Sequence, residues 1–370
     1  MTGTGRWAWA EVDLGAIAHN VETLRAAVAP SVVWAVVKAN GYGHGAIPIA
    51  RVALGAGAAG LCVALMQEGS ELRAAGIGGR ILVLSEQPPE LLPHAVRDEL
   101  ELTVYSPAQL DALVAAGARD HPVHLKIDTG MHRVGASVRD APALAAAITR
   151  CPATRLVGVL THLAVADDPA HDYTAGQLAV FGRVLAEMGA AGVVVEEIHT
   201  ANSAGGLAHP AARASFVRAG IAVYGLSPGA GVDHLAAALR PALSLHARVS
   251  FVKRMPVGAG ISYGLRHTLD APANIATLPI GYADGVPRCL HAVGGEVLLG
   301  GKRRPIVGAI TMDQLMVDCG DDPVAVGDHA VLIGEQGDER ITATDWADRL
   351  DTIAYEIVCG ISARIERLYS

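Results

Sequence analysis

Between residues 32 and 218 the sequence alternates between eight short, β-branched or apolar runs and the seven helical patterns that separate them. The strand candidates are 32–38, 60–65, 80–84, 101–105, 123–128, 156–162, 193–199 and 216–218. Helical spacing of apolar residues fills the gaps at 46–54, 67–75, 89–96, 107–116, 141–150 and 174–188, with a short helix near 203–208. Ser106-Pro107 supplies a cap followed by a first-turn proline, and Gly117 closes that helix. Near-continuous apolar strands joined by helices predict parallel strands covered on both faces. Eight of them predict a (β/α)8 barrel, preceded by a helix from Asp13 to about Val28. The alternative is an open doubly wound sheet, but no GxGxxG follows an early strand. Hydrophobic residues make up 51% and aromatics 4%, so the core is built from Ala, Val, Leu and Ile.

Past Leu226 the texture changes. Pro228, its neighbouring glycines and Pro241 mark a hinge, followed by short alternating runs at 243–253, 274–280, 296–299, 314–318 and 329–333. Only 343–350 and 353–361 read as helix or mixed. The expected division is therefore a barrel over residues 1–230 and a mostly-β domain over 231–370.

A net charge of −8 without basic runs argues against nucleic acid or an anionic membrane as partner. No apolar run reaches the length of a membrane span. The N-terminus lacks a signal-peptide pattern, and the five cysteines are scattered without a CxxC pair. A reducing, cytoplasmic location is expected.

In a barrel, residues at the carboxyl ends of the strands line one face. Here those are Lys38, the segment 126–133 with Lys126 and Arg133, His162, Asn202-Ser203 and Arg218. Lys38 ends an apolar strand, and Gly41, Gly43 and Gly45 then break regular structure around Tyr42. A lysine there is costly to desolvate unless it has a partner or a task. Arg218 sits among apolar residues and keeps its charge when buried, so it needs an acceptor. No His/Cys/Asp cluster accompanies His162, and no metal is expected.

Val37-Lys38-Ala39-Asn40-Gly41-Tyr42-Gly43-His44-Gly45 resembles the cofactor-lysine motif of the alanine racemases, which use pyridoxal 5′-phosphate (PLP). Asp128-Thr129-Gly130-Met131-His132-Arg133, Gly260-Ile261-Ser262-Tyr263-Gly264 and Ile310-Thr311-Met312-Asp313 match further segments in family order. The resemblance implies that Lys38 holds PLP as a Schiff base and then acts as acid and base on one face of the substrate α-carbon. Racemisation removes a proton from one face and returns it on the other, so a second group is needed. The resemblance assigns that role to Tyr263, reaching the site from the partner subunit of a homodimer. It places Arg218 at the pyridine nitrogen, His162 against the ring, and the phosphate among Gly220, Ile221, Ser203, Tyr42 and Tyr355. Arg133 and the Met312 amide would take the substrate carboxylate, with Lys126 carbamylated beside Arg133. Asp167, Tyr282 and Arg288 match access-corridor positions. Two positions depart from many members: Ala309 stands for arginine and Thr311 for cysteine. Alanine, supplying D-alanine for peptidoglycan, is the expected substrate. A racemase for serine or a broader range, a non-catalytic PLP-binding protein and a decarboxylase are the rivals.

Overall fold

The computed structural model describes residues 5–370, which form two compact units. One comprises Ala16–Gly41 and Gly45–Arg240; the other comprises residues 5–15, Tyr42–His44 and Pro241–Ser370.

The first unit is a barrel of eight parallel strands: Val32–Val36, Gly60–Val63, Ile81–Val83, Glu101–Val104, His121–Asp128, Thr154–Leu160, Glu197–His199 and Phe216–Ala219. Each pairs with its sequence neighbour from first to seventh, and the eighth pairs with the first. The seventh and eighth are joined more loosely, by Ser215 N–H donating to the Ile198 carbonyl at 2.8 Å and Arg218 N–H donating to the Ala201 carbonyl at 3.1 Å. Every expected strand is present: the first four are one or two residues shorter, the fifth and eighth are longer, the sixth is shifted to 154–160, and the seventh is only Glu197–His199. Val33, Ala35, Leu61, Val63, Leu82 and Val159 are wholly buried. Each large aliphatic among them contributes on the order of 1.5–3 kcal/mol by leaving water. Ser106 caps its helix as expected, accepting from Gln109 N–H at 3.2 Å.

The two domain limits read from the sequence differ from the observed units for local reasons. Asn20, fully buried on the helix Leu14–Val28, donates to the carbonyls of Val223 and Arg240 and accepts from Arg240 N–H. That ties the segment up to Arg240 into the barrel unit. Ala8–Val12 instead belongs with the β unit, antiparallel to Leu243–Arg248 and parallel to Glu366–Tyr369. Its inward residues are Ala8, Ala10 and Val12, too small a run to read as a core strand.

The β unit is a mixed sheet running Phe251–Met255, Ala273–Leu278, Leu315–Asp318, Lys302–Val307, Glu296–Leu299, His329–Gln336, Leu243–Arg248, Ala8–Val12 and Glu366–Tyr369. The run 243–253 is two strands, not one. The strand Lys302–Val307 went unread because it opens Lys-Arg-Arg-Pro. It is nevertheless fixed by the two-residue turn Gly300-Gly301, with φ of 66° and 72°, the geometry a tight hairpin requires.

Candidate active site

The first barrel strand delivers Lys38 to the carboxyl end, and the backbone there does something unusual. Ala39, Asn40, Gly41 and Tyr42 all have φ between 51° and 61°, a left-handed turn. Each non-glycine residue in that region costs roughly 1–2 kcal/mol. Local hydrogen bonds hold the turn in place. Ala39 N–H donates to Glu68 Oε1 at 2.6 Å, while Glu68 Oε2 accepts from Ala64 and Leu65 N–H at 2.8 and 3.0 Å. Asn40 accepts from Ala46 N–H through its side chain and from Gly45 N–H through its carbonyl, at 3.0 and 2.8 Å. The glycines and Asn40 signalled a break; the left-handed path through Ala39 had no such signal.

Arg218, at the end of the eighth strand, is 3% exposed. It donates to the carbonyls of Thr161, His199 and Thr200 at 2.8, 2.8 and 3.0 Å, to His199 Nδ1 at 2.9 Å, and to His162 Nδ1 at 3.3 Å. Among the described residues no carboxylate pairs with it. Burial lowers its pKa to about 10, which leaves it charged at neutral pH. One strand away in the circle, Ser203 Oγ accepts from Gly220 N–H at 2.8 Å. Ser203 is held at the start of a short helix whose cap is Asn202, accepting from Gly205 N–H at 2.8 Å.

Lys126 is buried on the fifth strand and donates to the Leu84 carbonyl at 3.3 Å. Its pKa falls to about 8, first from burial and then from Arg218, Arg133 and Lys38. His162 is pressed well below its ordinary value by burial and then by Arg218, Lys126, Arg133 and Lys38. Asp128, the carboxylate acting on Lys126, is occupied by Gly130 and His132 N–H at 3.0 Å each. Arg133 is exposed, and among the described residues no acid pairs with it.

The carboxyl face of the barrel thus gathers the cationic side chains of Lys38, Lys126, Arg133 and Arg218. A doubly ionised phosphate, a pyridine nitrogen that only accepts, a phenolic oxygen and an aldehyde would each meet a suitable group there. The donor set fits PLP. Among the described residues no group of His, Cys, Asp or Glu is arranged to hold a metal ion, and no helix is long and apolar enough to cross a membrane.

The β unit carries Tyr42, Tyr263, Tyr282, Arg288, Met312 and Tyr355. Tyr42 and Tyr355 lie together, ring centroids 6.0 Å apart. Tyr263 is 73% exposed on a turn between the paired segments Gly260–Ile261 and His267–Thr268. Ser262 Oγ donates to the Ala309 carbonyl at 2.6 Å, which ties that turn to the loop of Met312. Thr311 Oγ1 donates to the Gln314 carbonyl at 2.8 Å and closes the same loop. Of the two departures, Thr311 closes the Met312 loop through its side chain, while Ala309 contributes only its backbone carbonyl. Tyr263 and Thr311 share the wall of a depression of about 600 Å³ with Phe251, Met255 and Leu265.

Tyr282 N–H donates to the Thr311 carbonyl and Ala283 N–H to the Met312 carbonyl, both at 3.0 Å. Behind them the buried Asp284 carboxylate accepts from Arg6 at 2.7 and 2.8 Å and from Gly281 N–H at 3.0 Å. Arg288 is exposed, as is Asp167 in the barrel unit. Sequence reasoning missed Glu68, Asp284 and His199; the last closes a predicted strand, which was the one signal available.

The model of the alanine racemase N-terminal domain matches residues 12–228, and that of the C-terminal domain matches residues 242–369. An alanine racemase of Symbiobacterium thermophilum is 47% identical over 365 residues, spanning 98% of this chain and 96% of that protein. One of Thermobifida fusca is 43% identical over 370 residues, spanning 98% of each. Among solved structures, the alanine racemase of Bacillus anthracis with bound L-Ala-P superposes with a TM-score of 0.95 at 40% identity, covering 100% of this chain and 96% of that one. That of Streptomyces lavendulae gives 0.93 at 41%, covering 100% and 98%.

Proposed function

The chain belongs to the alanine racemase family, and we propose that it interconverts L- and D-alanine with PLP held on Lys38, using a proton-transferring pair, Lys38 and Tyr263, drawn from two subunits. The observation that carries this reading is the convergence of Lys38, Lys126, Arg133 and Arg218 at the strand ends, on a surface where Gly220 N–H meets the Ser203 hydroxyl. When bound, PLP supplies an electron-poor ring that takes up the electron pair left as the α-proton departs.

The chain's own residues do the rest. The Lys38 amine exchanges the α-proton of D-alanine on one face, and the Tyr263 phenol that of L-alanine on the other. Arg218 only donates, so it leaves the ring nitrogen without a proton and limits side reactions such as transamination. Ser203, the amides of Gly220 and Ile221, and the hydroxyls of Tyr42 and Tyr355 hold the phosphate, and His162 packs on the ring. Arg133 and the Met312 amide orient the substrate carboxylate, while Asp167, Tyr282 and Arg288 border the way in. Lys126, whose amine is readily neutral near pH 8, takes up carbon dioxide and presents a carbamate to Arg133.

Assembly as a homodimer is supported by the β unit's exposed apolar surface. Tyr263, Leu265, Phe251 and Met312 are each more than half exposed, an arrangement that marks an interaction surface. In this reading the barrel unit carries the cofactor lysine, and the β unit supplies Tyr263 and Met312 to the partner's site. The enzyme works in the cytoplasm, and its D-alanine feeds peptidoglycan. A broader substrate range, serine included, is the second reading, motivated by Ala309 and Thr311.

The test is incubation of the holoenzyme with L-alanine in heavy water, following chirality and α-deuterium together. D-alanine carrying one α-deuterium is expected. Retained chirality, or release of carbon dioxide, would refute the assignment, and a panel including serine measures the range.

A further inference from the structure

Inside the barrel, polar side chains form an unbroken line from the amino-terminal mouth to Arg218. Arg80 forms paired hydrogen bonds with Glu101, at 2.5 and 2.9 Å, and with Glu197, at 2.6 and 2.8 Å. Glu101 Oε2 also faces His124 Nε2 at 2.8 Å. His124 Nδ1 faces His199 Nε2 at 3.0 Å, and His199 Nδ1 faces Arg218 at 2.9 Å. Both imidazoles are 0% exposed. Phe216 stacks on His199 at 4.1 Å, and Trp34 contacts both Phe216 and Arg80. Burying charged and polar groups in a barrel core is costly unless every member is satisfied.

The two ends allow one arrangement of protons. A guanidinium has no acceptor, so His199 Nδ1 must accept, and the imidazole proton sits on Nε2. His124 Nδ1 must then accept from His199, which puts the His124 proton on Nε2, donated to Glu101. An ionised carboxylate accepts only, and it closes the line. Glu101 is kept ionised: burial alone would raise its pKa, but hydrogen bonds from His124 and Arg80 bring it to about 2. His199 is held neutral, chiefly by burial and next by Arg218.

We propose that Glu101 and His124 are positioning residues for the reaction: the carboxylate at the far mouth of the barrel fixes the tautomers of two buried histidines in series and thereby the aim of the Arg218 guanidinium at the cofactor. The role of Arg218 toward PLP rests on the function proposed above; the one-way line of donors does not. Replacing Glu101 with glutamine keeps the shape and breaks the direction. Arg80 donates to both carboxylate oxygens and His124 to one of them, so the amide NH₂ would meet a donor in either orientation. Where the NH₂ takes the place of Oε2, it faces both Arg80 and His124, and the relief available to His124 is to turn its tautomer over, which places an N–H of His199 against Arg218.

The experiment is ¹⁵N NMR of histidine-labelled holoenzyme, with steady-state kinetics of Glu101→Gln. In the unmodified protein His124 and His199 are expected to carry their protons on Nε2, with Nδ1 bare. In Glu101→Gln the His199 resonances should move, kcat for alanine should fall on the order of 10-fold or more, and KM should stay within about threefold, the pattern of a lost outer hydrogen-bond partner. A protonated Nδ1 on His199 in the unmodified protein would overturn the proposal without recourse to any variant. Unmoved His199 resonances with undiminished kcat in Glu101→Gln would overturn it as well. Should the unmodified enzyme fail to racemise alanine, the functional reading falls, while the NMR pattern still decides the proton arrangement.

Discussion

Gly158 lies in the sixth barrel strand, and a Cβ built there would stand 2.2 Å from His124 Nδ1, 2.7 Å from Cε1 and 3.1 Å from Cγ. The ring cannot step aside, because Glu101 and His199 hold its two nitrogens. Gly158→Ala therefore forces the imidazole out of line. Overpacking a tight core costs roughly 1–3 kcal/mol. Stranding the His199 N–H that His124 accepted adds about 1–3 kcal/mol. The midpoint, about 4 kcal/mol, corresponds to a fall in Tm of roughly 8–16 °C for a unit of this size. Differential scanning calorimetry of the purified holoenzyme measures it. Strand propensity alone predicts the opposite sign, since alanine in a strand is better than glycine by about 0.5–1 kcal/mol. A Tm within about 2 °C of the parent, or above it, would refute the packing account. Adding His124→Ala should recover part of the loss by removing the obstructing ring.

Three further outcomes are expected. Lys38→Ala and Tyr263→Phe chains, each inactive as a homodimer, should regain roughly a quarter of the parent activity after mixed refolding, because half the dimers then carry one intact site; no regain would refute a site shared between subunits. Native intact-mass spectra should show bicarbonate-dependent addition of one carbon dioxide, lost in Lys126→Ala, since the Lys126 pKa of about 8 leaves neutral amine near neutral pH. The Glu101 pKa is depressed from 4.5 to about 2 in the folded chain, so its stabilisation is present above pH 4.5 and lost as pH falls toward 2. Acid titrations of the parent and Glu101→Gln, followed by circular dichroism, should converge over that window; a constant gap between them would count against the shift.

The barrel was legible because most of its strands are apolar runs separated by helical patterns, and Ser106-Pro107 is a helix-start signal confirmed in place. Lys38 and Arg218 were legible too: a cation ending a buried strand is conspicuous by its cost. Less legible were features whose partners lie far away in sequence. Glu101 opens a strand and His124 sits within one, and nothing local says that they meet across 23 residues. Nor does Arg6 announce Asp284, 278 residues distant. The strand Ala8–Val12 hid behind alanines, and Lys302–Val307 behind its charges, although the Gly-Gly hairpin turn beside it was there to be read.

The short corkscrew beyond Lys38 has a consequence for how the lysine is presented. Glycine would sit at positions 39 and 40 without steric penalty, yet alanine and asparagine occupy them, clasped by Glu68 and by Asn40's own amide. A relaxed hinge would let the amine sample many directions; a wound and pinned one offers few. The chain keeps tension where a floppier segment would have been easier to fold, so that the Lys38 side chain sets out in one direction.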